Sequence, residues 1–114
     1  MKSKRTKLIQ KADALIRERV RERDKVCQKC GSPQASQPSH VYSRNDKRIR
    51  WDENNILWMC YFCHIQWWHR EPMEAHEWFK AKFPDRWKYL QKKRKELSKP
   101  IGIKELESLI EKLQ

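Results

Sequence analysis

A chain of 114 residues with 27 Lys+Arg against 15 Asp+Glu, a net charge of +12 and a pI near 9.8, is suited to a polyanionic partner, either nucleic acid or an anionic membrane surface. Its hydrophobic content of 38% against 37% charged residues is thin for a self-sufficient core, so six tryptophans and a metal staple have to supply the rest. No apolar run approaches the roughly 20 residues that span a bilayer, and the N-terminus lacks a signal peptide's apolar stretch and cleavage site, which predicts a reduced, cytoplasmic setting.

With only two glycines, Gly31 and Gly102, helices should dominate over tight-turned sheets. The first is expected over residues 4 to 25, where Leu8, Ala12, Leu15, Ile16 and Val20 recur at three- and four-residue spacing. Ten Lys/Arg against four Asp/Glu over residues 1–25 make this a helix that packs one face on the core and can lie along phosphates with the other. CQKCGSPQASQ (27–37) follows as a turn-rich knuckle in which Gly31 takes positive φ. SHVYSR (39–44) and KRIRW (47–51), flanking Asn45-Asp46, read as the two strands of a β-hairpin. Ile56 to Met59 is an apolar run leading into the second knuckle, and a short helix should run from Tyr61 to about His69. Pro72 and Pro84 are placed to start two more helices, the second of them basic through Lys88, Lys92, Lys93, Arg94 and Lys95. Lys99-Pro100-Ile101-Gly102 breaks that helix, and Ile103, Leu106, Leu109, Ile110 and Leu113 form a C-terminal amphipathic one, free to pack on its own core or on a second copy.

Cys27-x-x-Cys30 and Cys60-x-x-Cys63, 29 residues apart, are the strongest chemical signal. Zinc takes four thiolates tetrahedrally, and a closed four-cysteine site is structural because it leaves no open position for chemistry. Redox-active CxxC pairs are the alternative, but neither pair sits in a βαβ setting. Any catalysis must therefore use other residues and a second metal.

Those residues lie between and just beyond the cysteines. The order CQKC, SHVYSR, WDENNIL, CYFCH resembles the HNH, or ββα-metal (His-Me finger), endonucleases in their zinc-stapled form. Within that group it is similar to the recombination nucleases of lambdoid phages (NinG/Rap type), and the cysteine spacing resembles phage T4 endonuclease VII. The resemblance covers residues 27–70 and implies an α+β, mostly helical fold, with a ββα-metal core stapled by a four-cysteine zinc site. A basic N-terminal helix (1–26) and basic C-terminal helices (71–114) flank that core. Carried over, His40 is the general base, Asn55 orients the loop and the histidine, His64 is the helix-borne ligand of a catalytic Mg²⁺ or Mn²⁺, and Arg44 neutralises a phosphate.

One position departs from that pattern: Ser39 stands where most of these enzymes carry an acidic metal ligand, and a hydroxyl is a poor ligand for Mg²⁺. Asp52, His69 or a backbone carbonyl are the candidate substitutes. His76, Trp67 and Trp68 read as packing residues, Asn54 competes with Asn55 for its role, and Arg50 either reaches phosphate or covers the hairpin. The function these expectations imply is metal-dependent DNA cleavage on branched or non-specific DNA, in phage or prophage recombination, with no membrane partner. A homodimer would suit the two cuts that a junction needs. The alternatives are a non-catalytic zinc-stapled nucleic-acid-binding module and a protein-interaction adaptor.

Overall fold

The computed structural model describes residues 1–47, 49–96 and 101–114. Helix α1 spans Lys4–Asp24, capped at its start by Ser3, whose Oγ accepts from the Thr6 amide at 3.1 Å, and ended at Lys25 by a positive φ of 64°. Its apolar spacing turns Ala12, Ile16 and Val20 into one buried stripe. Strand β1 (Gln37–His40) pairs antiparallel with β2 (Ile56–Met59) in a two-stranded sheet. A short π-helix (Phe62–Trp68) follows, then α2 (Pro72–Lys82), α3 (Pro84–Arg94) and α4 (Ile103–Leu113). Both prolines sit in the first helical turn, where their missing N–H has no intrahelical partner to lose. The expected break at Lys99-Pro100 lies outside the described residues, and Gly102 is the N-cap of α4.

The sheet divides the core in two. Ile56 and Trp58 point to one side, against Ala12, Ile16 and Val20 of α1 and Leu106 and Ile110 of α4. Leu57 and Met59 point to the other, against Cys27, Cys63, Trp68, Ala75, Phe79 and Leu90. All four β2 residues are therefore buried, and the strand reads as an unbroken apolar run because both its faces are covered. The C-terminal Leu/Ile stripe closes on α1 of the same chain. Arg19 fastens that contact by donating to the Leu113 and Lys112 carbonyls at 3.1 and 3.0 Å, a cation at a helix C-terminus.

The hairpin exists, but with other strands than the sequence suggests. The described residues 41–47 and 49–52 make turns: Asp46 N donates to Ser43 O, Ile49 N to Asp46 O and Asp52 N to Ile49 O, at 3.0–3.2 Å. KRIRW forms no strand among the described residues, and its Arg48 lies outside them. The apolar ILWM segment buries far more surface as the partner of β1 than the charged KRIRW segment can. Fully buried Asn55 holds the intervening loop: its Oδ1 accepts from the Tyr42 amide at 2.9 Å, and its Nδ2 donates to the Tyr42 and Ile49 carbonyls at 3.1 and 3.2 Å. Asn55→Ala leaves those groups without partners, each worth about 1–3 kcal/mol when buried. We expect a loss of roughly 2–4 kcal/mol, read as a lower urea midpoint at unchanged slope. A loss well under 1 kcal/mol contradicts this role.

Candidate functional site

The two knuckles meet. All four cysteine sulfurs lie within 4.8 Å of one another, the one group of three or more His, Cys, Asp or Glu among the described residues that could hold a metal. Cys30 Sγ and Cys60 Sγ are 3.7 Å apart, far beyond a disulfide bond and close to the edge of about 3.8 Å that zinc–sulfur bonds of 2.3 Å span in a tetrahedron. The donor set thus fits a structural Zn²⁺. Gly31 has φ of 80° and its amide donates to the Cys27 carbonyl at 2.8 Å, which bends the first knuckle as expected. Burial works against the Cys27 thiolate, but backbone N–H groups of Cys30, Cys60 and Lys29 bring the thiol down to about 7. Burial and the three neighbouring sulfurs push Cys63 up.

Beside the clamp, a cleft of about 620 Å³ is lined by His40, Arg44, His64 and His69, together with Asp13 and Arg17 from α1. Of the residues singled out from the sequence, His40, Arg44, His64 and His69 thus face one space. Asn55 sits behind it and acts through the loop, which leaves Asn54 with no share in that grip.

The π-helix explains the two histidines. In an α-helix, residues five apart lie about 140° round the axis and face different ways. Here the His69 amide donates to the His64 carbonyl at 3.1 Å, the i→i+5 closure of a π-turn, which returns residue i+5 nearly above residue i. Cys63 and Trp68 both turn into the core by this winding, and one residue on, His64 and His69 both turn into the cleft. Their Nε2 atoms are 2.9 Å apart. His64 Nδ1 is bonded to the Gln37 carboxamide oxygen, which accepts, so Nδ1 carries the proton and Nε2 the lone pair. Burial, then the charges of His69 and His40, pull His64 down to about 4. It is neutral at pH 7, as a metal ligand must be.

His40 lies at the end of β1. Its Nε2 is 3.1 Å from the Arg50 carbonyl. A carbonyl only accepts, so the ring proton is on Nε2 and the lone pair on Nδ1. Burial lowers its pKa below the ordinary 6.5; the Arg50 carbonyl and Asp13 oppose this, and Arg44 and Arg50 add to it. The Trp68 indole donates to the His40 carbonyl at 3.2 Å, tying the strand end to the π-helix.

Ser39 does not face the cleft. Register pairs Ser39 with Leu57 and His40 with Ile56, so the two neighbours project to opposite faces. Ser39 Oγ is fully buried with no hydrogen-bond partner among the described residues. Asp52 is not a substitute ligand either: its oxygens accept from the Asn54 amide and the Tyr89 hydroxyl as a cap. Of the candidates it is His69 that is brought to His64. A pair of imidazoles suits a transition ion better than Mg²⁺, whose preference is for oxygen.

Two residues of this site carry no motif. Gln37 belongs to a loop-like run, and Asp13 belongs to a basic helix. Asp13 accepts from Arg50 Nε and NH2 at 3.2 and 2.7 Å, from Trp51 Nε1 at 2.8 Å and from Arg44 at 3.0 Å. Burial raises its carboxyl, but Arg50, Trp51 and Arg44 together hold it below the ordinary range. Its signal lies in position: three residues before Ile16 and four after Ile9, it borders the apolar stripe, where a carboxylate needs partners. His76 packs edge-on against Tyr42 and beside Trp68, and Trp68 is core, as expected of both.

Comparison of the chain with protein-family models, curated proteins and solved structures finds no match. Among the described residues no helix is long and apolar enough to cross a membrane.

Proposed function

We propose that the protein is a zinc-stapled, metal-dependent DNA endonuclease of HNH type. The observation that carries the reading is His40: a half-buried neutral imidazole whose proton is fixed on Nε2 by a carbonyl, leaving the Nδ1 lone pair to act as base in a cleft shared with two further histidines and an arginine. Nδ1 takes a proton from water as the water oxygen bonds to phosphorus, the bond to the leaving oxygen breaks, and the leaving oxygen is protonated from solvent. His64 and His69 would hold a divalent ion, which when bound would stabilise the charge on the phosphate. Arg44, with its side chain 57% exposed, exchanges Asp13 for a phosphate oxygen. The order β1, β2, helical turn, with Asn55 behind the loop, supports the resemblance to the ββα-metal nucleases.

DNA is held by its backbone. On α1, Lys7, Lys11, Ala14 and Arg17 follow one another at spacings of three and four, and Ala14 and Arg17 line the cleft. Lys7 and Lys11 are exposed and carry no ion pair among the described residues. The double change Lys7→Ala, Lys11→Ala should lower the slope of log affinity against log salt by about 2 and weaken all sequences alike. An unchanged slope places the DNA elsewhere. The resemblance adds branched recombination intermediates as substrate. A homodimer making two cuts would use a surface other than the buried stripe of α4.

The rival is a non-catalytic nucleic-acid-binding module, favoured because, among the described residues, His64 belongs to no cluster of three or more His, Cys, Asp or Glu that could hold a metal. Supercoiled and four-way-junction DNA incubated with Mg²⁺ or Mn²⁺, with and without EDTA, separate the two: EDTA-sensitive cutting supports the nuclease, and binding without cutting under either ion supports the rival. The acid limb gives a finer check. His40 works as the neutral base and its pKa lies below 6.5, so the rate should rise through a pH below 6.5 and be level at 7. A midpoint above 7 would exclude His40 as this base.

A further inference from the structure

We propose that Asp13 of α1 is the positioning residue for the base: its carboxylate fixes the peptide group whose carbonyl holds the His40 ring. The Arg50 carbonyl belongs to the planar unit joining Arg50 to Trp51, so its direction is set by how those two residues are held. Both are held by one carboxylate. Arg50 donates to it through Nε and NH2 at 3.2 and 2.7 Å, Trp51 through its indole at 2.8 Å, and the Arg50 guanidinium lies 5.1 Å over the Trp51 ring. Arg50 and Trp51 are only 12% and 6% exposed, so water competes little for these bonds. The grip matters because the described residues 41–47 and 49–52 form turns and bends, with no strand or helix among them to fix a carbonyl on its own. Asp13 thus reaches the His40 ring through a side chain–backbone relay, with α1 as its rigid base.

Arg44 meets the same carboxylate by one bond of 3.0 Å, but its side chain is largely exposed and its backbone does not hold His40. Arg44 is therefore the releasable partner, and the Arg50–Trp51 unit is the fixed one.

This inference rests on the reading of His40 as the base, so its first readout is independent of cleavage. Two-bond ¹H–¹⁵N couplings of the imidazoles in the full-length, zinc-loaded protein report which His40 nitrogen carries the proton. The wild-type chain should give a single Nε2–H form. Asp13→Asn should give a mixture of both tautomers, as should Arg50→Gln, which keeps Asp13 paired with Arg44 and Trp51 and covers the case in which Asp13→Asn does not fold. Arg44→Ala should leave the single form intact. Where cleavage is measurable, Asp13→Asn should lower kcat by about 10–100-fold with KM nearly unchanged, and Asp13→Glu should restore part of it.

A single Nε2–H form retained in both Asp13→Asn and Arg50→Gln, or in Arg50→Gln alone should Asp13→Asn not fold, overturns the proposal, whatever the nuclease does. Tautomer mixing in a protein that cuts no DNA keeps Asp13 as a positioning residue and removes the nuclease reading.

Discussion

Losing the metal from the four-cysteine clamp should unfold the chain. Cys63→Ser, or treatment with a strong zinc chelator, is expected to abolish the cooperative thermal transition and expose the buried tryptophans Trp51, Trp58 and Trp68 to water. The clamp joins the loop after α1 to the start of the π-helix, and Cys27 and Cys63 belong to the same buried cluster as Leu57, Phe79 and Leu90. A chain with this little hydrophobic surface has few other ways to hold those elements together. Structural zinc sites contribute an apparent 10–16 kcal/mol in small domains, about the whole stability of a chain this size. The thiols also explain why the effect should be large: with Cys63 pushed up by burial and its neighbours, the metal-free cluster cannot stay fully ionised and loses the geometry that four thiolates around one cation would keep. A metal-free protein with an unshifted melting curve and unchanged tryptophan fluorescence would refute the clamp as a staple.

The second large effect concerns chemistry alone. His40→Ala should reduce DNA cleavage by about 10²–10⁴-fold while zinc content and DNA affinity stay near wild type. The ring is only partly buried and sits at the end of β1, and its one hydrogen bond among the described residues is to the Arg50 carbonyl, so its removal costs little packing. His40→Gln is the finer form of the same test, because a carboxamide can still donate to that carbonyl but cannot take a proton. Both variants should be comparably slow. A His40→Gln variant that cuts at the wild-type rate would leave His40 as a scaffold residue.

What the sequence makes legible is local. The stripe Ala12, Ile16, Val20 places α1 to within a residue, the prolines place the starts of α2 and α3, and the CxxC spacing places the clamp. The hairpin partners escape such reading because β2 is covered on both faces and has no alternation, while the loop before it follows Asn55 and Asp13, which act across 13 and 37 residues. His69 escapes it for a different reason. Helical periodicity of 3.6 sends residue i+5 away from residue i, and only the π-winding brings His69 beside His64. The clue in the sequence is a period of five: Cys63 with Trp68, then His64 with His69. Ser39 shows the converse. It reads as a missing ligand, yet the register turns that position into the core, away from the cleft.

Residues 60–69, CYFCHIQWWH, carry two of the four clamp cysteines and the cleft histidines His64 and His69, and the proposed function is that this cleft cuts DNA. Its most direct test is one gel. Zinc-loaded protein, freed of other divalent ions, is mixed with supercoiled plasmid, and Mn²⁺ is added to wild-type and His40→Ala samples side by side. The account predicts nicked circles only in the wild-type lane and only after Mn²⁺. No nicking by the wild-type protein, or equal nicking by His40→Ala, would contradict it.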